Sequence, residues 1–119
     1  MSESNSTRIY VDADACPVKD EIYRVAIRHG LSVIVVAGRL IQVPPDPLIT
    51  RIAAGSAADA ADDYIAARVG EGDIVVSADI PLADRCIKAG AVVIAPNGRL
   101  FTEESIRMAL AMRNLMTDL

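Results

Sequence analysis

Short runs of β-branched residues alternate with segments of helical periodicity along the chain, and this alternation constrains the fold most. Strands are predicted at Arg8–Asp12 and at residues 33–37, 48–53, 74–77 and 91–95. Helices are predicted at residues 17–30, 60–69, 81–90 and 103–116. Strands that alternate with helices form βαβ crossovers, which cover both faces of a parallel sheet. We therefore predict a single α/β/α domain of three layers at residues 8–119, after a disordered tail at residues 1–7.

Local signals define two of these helices further. Pro17 suits the first helical position, and Gly30 is typical of a residue that ends a helix. Residues at helical spacing predict the apolar face of the first helix: Val18, Ile22, Val25 and Ala26. A similar spacing on the last helix indicates a packing face or a homodimer contact: Met108, Met112 and Met116.

Composition excludes several classes of protein. With 52% hydrophobic and 24% charged residues, the chain can form a core. A net charge of −4 argues against binding nucleic acid through bulk positive charge. The apolar run at residues 31–37 is far shorter than the roughly 20 residues of a membrane helix. Two distant cysteines and one histidine form neither a disulfide scaffold nor a common zinc site, so we expect a cytoplasmic protein with no membrane partner.

Six aspartates follow the predicted strands in three separate parts of the chain. They are Asp12 and Asp14 after the first strand, Asp59, Asp62 and Asp63 around the start of the second helix, and Asp79 after the fourth strand. The carboxyl ends of parallel strands meet at one edge of the sheet, where ligands bind. Asp12 and Asp14, two residues apart in an extended chain, would point to the same side. Clustered carboxylates repel one another unless a cation offsets their charge.

Oxygen ligands of this kind favour Mg²⁺ or Mn²⁺ over zinc or copper. Such ions activate water and stabilise phosphoryl transfer, so the pattern indicates hydrolysis of phosphodiester bonds. Helix capping is the alternative role for Asp59 and Asp79. Without the six acids, ten acidic residues stand against twelve basic ones, so the rest of the chain carries a charge of +2. Several of these bases are candidates for guiding a phosphate backbone: Lys19, Arg24, Arg39, Arg51, Arg85 and Lys88.

Three motifs resemble the YaiI/YqxD family of uncharacterised bacterial proteins. They are VDADACP at residues 11–17, DAADDYI at residues 59–65 and GDIVVSADIPLA at residues 72–83. The later segment PNGRLFTEESI is also similar, so the resemblance extends over nearly the whole chain. That family is in turn similar to PIN-like domains, which are Mg²⁺- or Mn²⁺-dependent nucleases. The resemblance therefore implies a sheet of about five parallel strands in the order 3-2-1-4-5.

The resemblance also implies roles for individual residues. Asp12 matches the first acid of the PIN-type site, Asp59 or Asp62 matches the acid on the middle helix, and Ser77-Ala78-Asp79 matches a hydroxyl-x-Asp pattern. The predicted catalytic metal ligands are then Asp12, Asp14, Asp62 and Asp79. In this hypothesis Asp59 and Asp63 would orient water at the same metal site. The predicted substrate-binding residues are Lys19, Ser77, Arg39 and Arg85.

A nuclease acting on RNA, with DNA less favoured, is the expected function, and two alternatives stay open. Asp12-Ala13-Asp14 after an apolar strand also resembles the nucleophile and acid/base pair of haloacid dehalogenase-like phosphatases. Cys16 stands where that family usually has a hydroxyl, and the short chain leaves little room for a substrate cap. The other alternative is a non-catalytic module that binds RNA or protein on a nuclease fold. Cys16 and Cys86 are interpreted as packing residues.

Overall fold

The computed structural model describes the backbone of residues 7–118 and the side chains of residues 7–14 and 16–117. Five strands form one sheet: β1 (Arg8–Asp12), β2 (Ser32–Ala37), β3 (Ile49–Ala53), β4 (Ile74–Val76) and β5 (Val92–Ile94). The helices are α1 (Lys19–His29), α2 (Ala60–Arg68), α3 (Ile80–Lys88) and α4 (Glu103–Asp118). Apart from Thr7, the tail predicted at residues 1–7 lies outside the described residues.

The sheet has the order β3-β2-β1-β4-β5, and every neighbouring pair of strands is parallel. This confirms both the predicted fold class and the strand order implied by the resemblance. From β1 the chain builds outward through β2 to β3, and then it returns to place β4 on the other side of β1. The direction of winding therefore reverses between β1 and β4. In open parallel sheets, ligand sites form beyond the carboxyl ends of the strands at such a reversal.

The first helix begins later than Pro17 predicts. Residues Ala13–Ala15 form a short 3₁₀ turn directly after β1, and α1 starts only at Lys19. The helix ends as expected at Gly30, whose φ of 69° is the left-handed conformation that glycine adopts without strain. At α4, the Thr102 hydroxyl accepts a hydrogen bond from the backbone N–H of Ser105 at 3.0 Å, so Thr102 caps the start of this helix.

Each face of the sheet has its own apolar core. On one face, Tyr23 and Ala26 of α1 pack into a cluster formed largely by β1 and β2. On the other face, helices α2, α3 and α4 contribute Ile65, Leu82 and Ile106 to the second cluster. Val25 lies on the predicted apolar face of α1 and borders the same apolar groove as Val18 and Ile22, but it is 48% exposed. The side of α1 that crosses the sheet carries the predicted Ala26 together with Tyr23, which the predicted face did not include.

Helices cover only part of the α1 face. Along β5, the side chains alternate between the two faces, so Val93 is buried under α3 and α4 while Val92 and Ile94 project to the α1 side. Val92 is 47% exposed. Both faces therefore carry helices, as predicted, but among the described residues no second helix lies beside α1 over β4 and β5.

Membrane-spanning structure was not predicted, and within residues 7–118 no helix has the length and apolar character needed to cross a bilayer. The longest helix, α4, has 16 residues, fewer than the roughly 20 that a spanning helix requires.

Candidate functional site at the carboxyl edge of the sheet

Asp12 is the last residue of β1 and lies at the point where the winding of the sheet reverses. Its side chain is buried, and its Oδ2 accepts a hydrogen bond from the Ser77 hydroxyl at 2.9 Å. Ser77 directly follows β4 and is also buried, so this bond joins the two strands on either side of the reversal. Among the described residues no hydrogen bond engages Asp12 Oδ1, which leaves that oxygen available for a ligand.

Asp79 is linked to Asp12 through the same hydroxyl. Its backbone N–H donates to Ser77 Oγ at 3.0 Å, and its Oδ1 accepts from the backbone N–H of Leu82 at 2.8 Å. Asp79 is therefore the N-cap of α3, as the capping alternative predicts. Capping uses only one carboxylate oxygen, and the cap position keeps the charge of Asp79 close enough to raise the pKa of Asp12.

Burial and repulsion between carboxylates raise the pKa of two acids at this edge, Asp12 and Asp62. Burial is the main cause of the raised pKa of Asp12; the Ser77 hydroxyl opposes that rise, and the charges of Asp79 and Asp14 add to it. In α2, the pKa of Asp62 is raised from its ordinary 3.8 to about 6, first by burial and then by the carboxylates of Asp79, Asp12 and Asp59. Acids from three separate segments thus act on one another here, and their ionised forms are disfavoured.

Asp14 lies farther from the centre of the site than the sequence indicates. The 3₁₀ turn after β1 replaces the extended chain that was assumed for Asp12 and Asp14, so that assumption is wrong. Asp14 is exposed, and its Oδ2 accepts from the backbone N–H of Gly38 at 3.0 Å, just beyond β2. A Cβ atom at Gly38 would stand 3.2 Å from the carbonyl oxygen of Gly55, so glycine permits this close approach.

The two remaining predicted acids lie on the rim. Asp59 occupies the N-cap position of α2 and is exposed, and among the described residues its side chain makes no capping hydrogen bond. Asp63 is exposed and forms a 2.9 Å ion pair with Arg85 of α3. Asp84, another acid of α3, pairs with Lys88 instead.

The predicted substrate-binding bases differ in whether they already form hydrogen bonds or ion pairs with other residues of the protein. Lys19 Nζ donates to the carbonyl oxygens of Cys16 at 2.8 Å and Ala13 at 3.2 Å, which holds the 3₁₀ turn against the start of α1. Sequence reasoning missed this role, because nothing in the local pattern shows where the carbonyls point. Arg85 is held by Asp63, whereas Arg39 is exposed just after β2.

Both cysteines are buried, which confirms that they are packing residues. Cys16 belongs to the core under α1, and Cys86 belongs to the core on the opposite face. Burial raises the pKa of the Cys86 thiol to about 11, so this side chain stays protonated at neutral pH.

The acids do not form a closed cage. Within the part of the chain that the structure describes, no three histidine, cysteine or acidic side chains lie close enough together to enclose a metal ion. A cation at this edge would therefore have one or two direct carboxylate ligands, with water or substrate oxygens completing its coordination. Mg²⁺ is commonly bound in this way.

Replacing Ser77 with alanine should destabilise the fold by about 1–3 kcal/mol, because a buried carboxylate loses its donor and a backbone N–H loses its acceptor. Urea denaturation at neutral pH measures this change. Ser56→Ala, at an exposed position, is the matched control and should change stability by less than about 0.5 kcal/mol. Equal stability of the two variants would show that the Ser77 hydroxyl does not hold the site together.

Raising the pH from 4 to 7 in the absence of divalent metal should destabilise the protein through Asp62. Its pKa is higher in the folded state, so the folded protein holds the proton more tightly, and stability falls as pH rises through about 6. After discounting for partial exposure, the expected loss is about 1 kcal/mol. Urea denaturation across this pH range should show a smaller decrease in the free energy of unfolding for Asp62→Asn than for the wild type. For Asp84→Asn the decrease should equal that of the wild type. An unchanged decrease in Asp62→Asn would contradict the assignment.

Known proteins are similar in sequence to this chain over nearly its whole length. The model of the family described as "Uncharacterized BCR, YaiI/YqxD family" matches residues 10–119. A UPF0178 protein of Bradyrhizobium sp. (strain ORS 278) is 72% identical over 118 residues, which cover 99% of this chain and 72% of that protein. A UPF0178 protein of Rhodopseudomonas palustris (strain HaA2) is 74% identical over 119 residues, covering 100% of this chain and 73% of the relative. The chain therefore belongs to the YaiI/YqxD family.

Proposed function

We propose that this protein is a Mg²⁺- or Mn²⁺-dependent nuclease that hydrolyses phosphodiester bonds in RNA, with DNA as a less favoured substrate. The observation that carries the proposal is Asp12. A buried carboxylate stands at the reversal point of the sheet, and the charges that raise its pKa, those of Asp79 and Asp14, are also negative. Such an arrangement lowers stability, and a divalent cation is the ligand that would offset it.

The donor set fits Mg²⁺ or Mn²⁺. Asp12 Oδ1 and the second oxygen of Asp79 are hard donors, and the hydrogen bonds of the described residues leave both free. Two direct carboxylates are enough for Mg²⁺, which keeps several waters, whereas a structural zinc site would need four closely grouped ligands. The absence of a three-ligand group among the described residues is therefore compatible with the hard cations and not with a closed zinc cage.

In this proposal Asp12 and Asp79 would hold the cation, which supplies an activated water and stabilises charge on the phosphate. Ser77 keeps both acids in register, because its hydroxyl donates to one and accepts from the backbone of the other. Asp62, whose pKa is raised to about 6 when no cation is bound, would be the acid at this edge that exchanges protons. Asp14 and Asp59 are exposed at the rim and would orient water.

Guidance of the substrate would depend on a small number of cations. Arg39 is exposed at the end of β2, on the same edge as the acids. Arg85 would have to exchange Asp63 for a phosphate oxygen, and Lys19 would contribute its charge from the start of α1. With so few bases, we expect weak binding that depends strongly on salt.

A cleavage assay tests the proposal. The purified chain is incubated with an end-labelled single-stranded RNA, and the same assay is repeated with EDTA and with Mg²⁺ or Mn²⁺ restored. We expect cleavage that EDTA abolishes and either ion restores. Asp84→Asn, which removes an acid paired with Lys88, should retain the activity. Cleavage that persists in EDTA, or no cleavage with either ion, would contradict the proposal.

One observation favours a second candidate, the non-catalytic module that binds RNA or protein. The described residues contain no group of three potential metal ligands, and a surface that only binds RNA would need none. Retention of a labelled RNA without cleavage, at equal affinity with Mg²⁺ or EDTA, would support this candidate.

A further inference from the structure

Arg39 differs from the other predicted substrate-binding bases because no ion pair among the described side chains includes it. Lys19 and Arg85 already bind other residues of the protein. Arg39 is exposed and follows β2 by two residues. In the register of the sheet, Val36 of β2 pairs with Asp12 of β1. Arg39 therefore comes three residues beyond the level of the buried acid, at the edge where a substrate phosphate would lie.

The backbone that carries Arg39 is held at both polar groups of the preceding residue. The N–H of Gly38 donates to Asp14 Oδ2 at 3.0 Å, and the carbonyl oxygen of Gly38 accepts from the N–H of Gly55 at 3.1 Å. The Gly38 carbonyl and the Arg39 N–H belong to one planar peptide unit, so these bonds fix the direction in which Arg39 leaves the sheet. Glycine has the most flexible backbone, so that direction would vary without them.

Asp14 is itself held in place by the short turn after β1. Lys19 Nζ binds the carbonyl oxygens of Ala13 and Cys16, which lie on either side of Asp14 in the sequence. Lys19 is the first residue of α1, a position where the helix dipole disfavours a cation. The two carbonyl dipoles compensate for this and fix the turn. The Asp14 carboxylate therefore has a defined place beside the end of β2.

We propose that Asp14 is a positioning residue, which directs Arg39 toward the phosphate backbone of the RNA by binding the N–H of Gly38. The inference rests on the proposed function, since RNA is the substrate named there. In contrast to a metal ligand, this role of Asp14 needs an acceptor oxygen and no negative charge. Asparagine can fill it, because its side-chain oxygen also accepts from a backbone N–H, whereas alanine cannot. The other carboxylate oxygen would still orient water.

Binding of a labelled single-stranded RNA, measured by fluorescence anisotropy in EDTA and low salt, tests this role without cleavage. Asp14→Asn and Asp14→Ala remove the same charge and differ in the acceptor oxygen. We expect the alanine variant to bind the RNA at least about twofold more weakly than the asparagine variant. The same pair of substitutions at Asp84, whose carboxylate contacts Lys88 on the same helix, should give equal affinities. Thermal unfolding checks that all the variants are folded.

Arg39→Gln shows whether the difference depends on the arginine. In this background Asp14→Asn and Asp14→Ala should bind the RNA equally, because the side chain that Asp14 directs is gone. Arg39→Gln alone should reduce the slope of log affinity against log salt by about 0.7, the value for one phosphate contact on a single strand. A change in the stability of the fold would not alter this slope.

The inference and the proposed function can fail separately. Equal RNA binding by Asp14→Asn and Asp14→Ala would overturn the inference alone, and so would a difference that persists in Arg39→Gln or an unchanged salt slope in that variant. A wild-type chain that binds no RNA would overturn the inference together with the proposed substrate. RNA that is bound through Arg39 and never cleaved with Mg²⁺ or Mn²⁺ would support the inference and contradict the nuclease proposal.

Discussion

Replacing Asp12 with asparagine should abolish metal-dependent RNA cleavage while leaving the fold as stable as the wild type or more stable. We expect a loss of activity of at least about 100-fold, because the substitution removes the buried charge that would bind the cation. Asparagine keeps the shape of the side chain and an oxygen that can accept from the Ser77 hydroxyl. The link between β1 and β4 should therefore survive.

The stability of this variant follows from the direction of the pKa shift. The pKa of Asp12 is raised in the folded protein, chiefly by burial, so its ionised form is disfavoured there at neutral pH. A neutral amide avoids this penalty and also the repulsion from Asp79. Loss of activity combined with retained or increased stability is characteristic of a residue kept for function.

Two measurements on the same protein preparation check this expectation. Cleavage of labelled RNA gives the activity, and thermal unfolding without divalent metal gives the stability. Asp84→Asn, purified in the same way, controls for contaminating nuclease and for the loss of one negative charge. Wild-type cleavage by Asp12→Asn would contradict the nuclease proposal. A large drop in its unfolding temperature would show instead that Asp12 is a structural residue.

The alternation of strands and helices was sufficient to predict the architecture. Residues 33–37 form an unbroken apolar run, which is what a strand buried on both faces requires. Asp12 could be predicted as a candidate site residue because it ends the first strand, and the carboxyl ends of parallel strands meet at one edge of the sheet. The strand order itself came from the resemblance to a known family, because periodicity alone does not determine which strands are neighbours.

Local sequence patterns do not predict the features that depend on how helices and strands pack against one another. Val25 and Tyr23 both fit an apolar face of α1, and only the path of α1 across the sheet determines that Tyr23 is buried and Val25 is exposed. The same holds for charges, since Asp63 lies 22 residues from Arg85 in sequence and pairs with it only because α2 and α3 are adjacent.

Divalent cations should stabilise the wild-type protein strongly. A ligand that binds only the folded state at about 100 times its Kd adds about 2.7 kcal/mol, so Mn²⁺ should raise the unfolding temperature by roughly 10 °C. Part of this gain comes from relieving the repulsion among Asp12, Asp62 and Asp79. Calorimetric titration with Mn²⁺ gives the Kd independently.

Asparagine variants then test which acids hold the cation. Asp79→Asn is informative because asparagine caps a helix as well as aspartate does, so α3 keeps its cap while the charge is lost. We expect Asp79→Asn to lose most of the stabilisation by Mn²⁺, and Asp62→Asn to lose only the smaller part that comes from relieving repulsion. Asp63→Asn should keep it, because that carboxylate is exposed and paired with Arg85. If Mn²⁺ raises the unfolding temperature of Asp79→Asn as much as that of the wild type, the cation is bound elsewhere. If Mn²⁺ does not raise the unfolding temperature of the wild type, the non-catalytic module becomes the better explanation of this edge of the sheet.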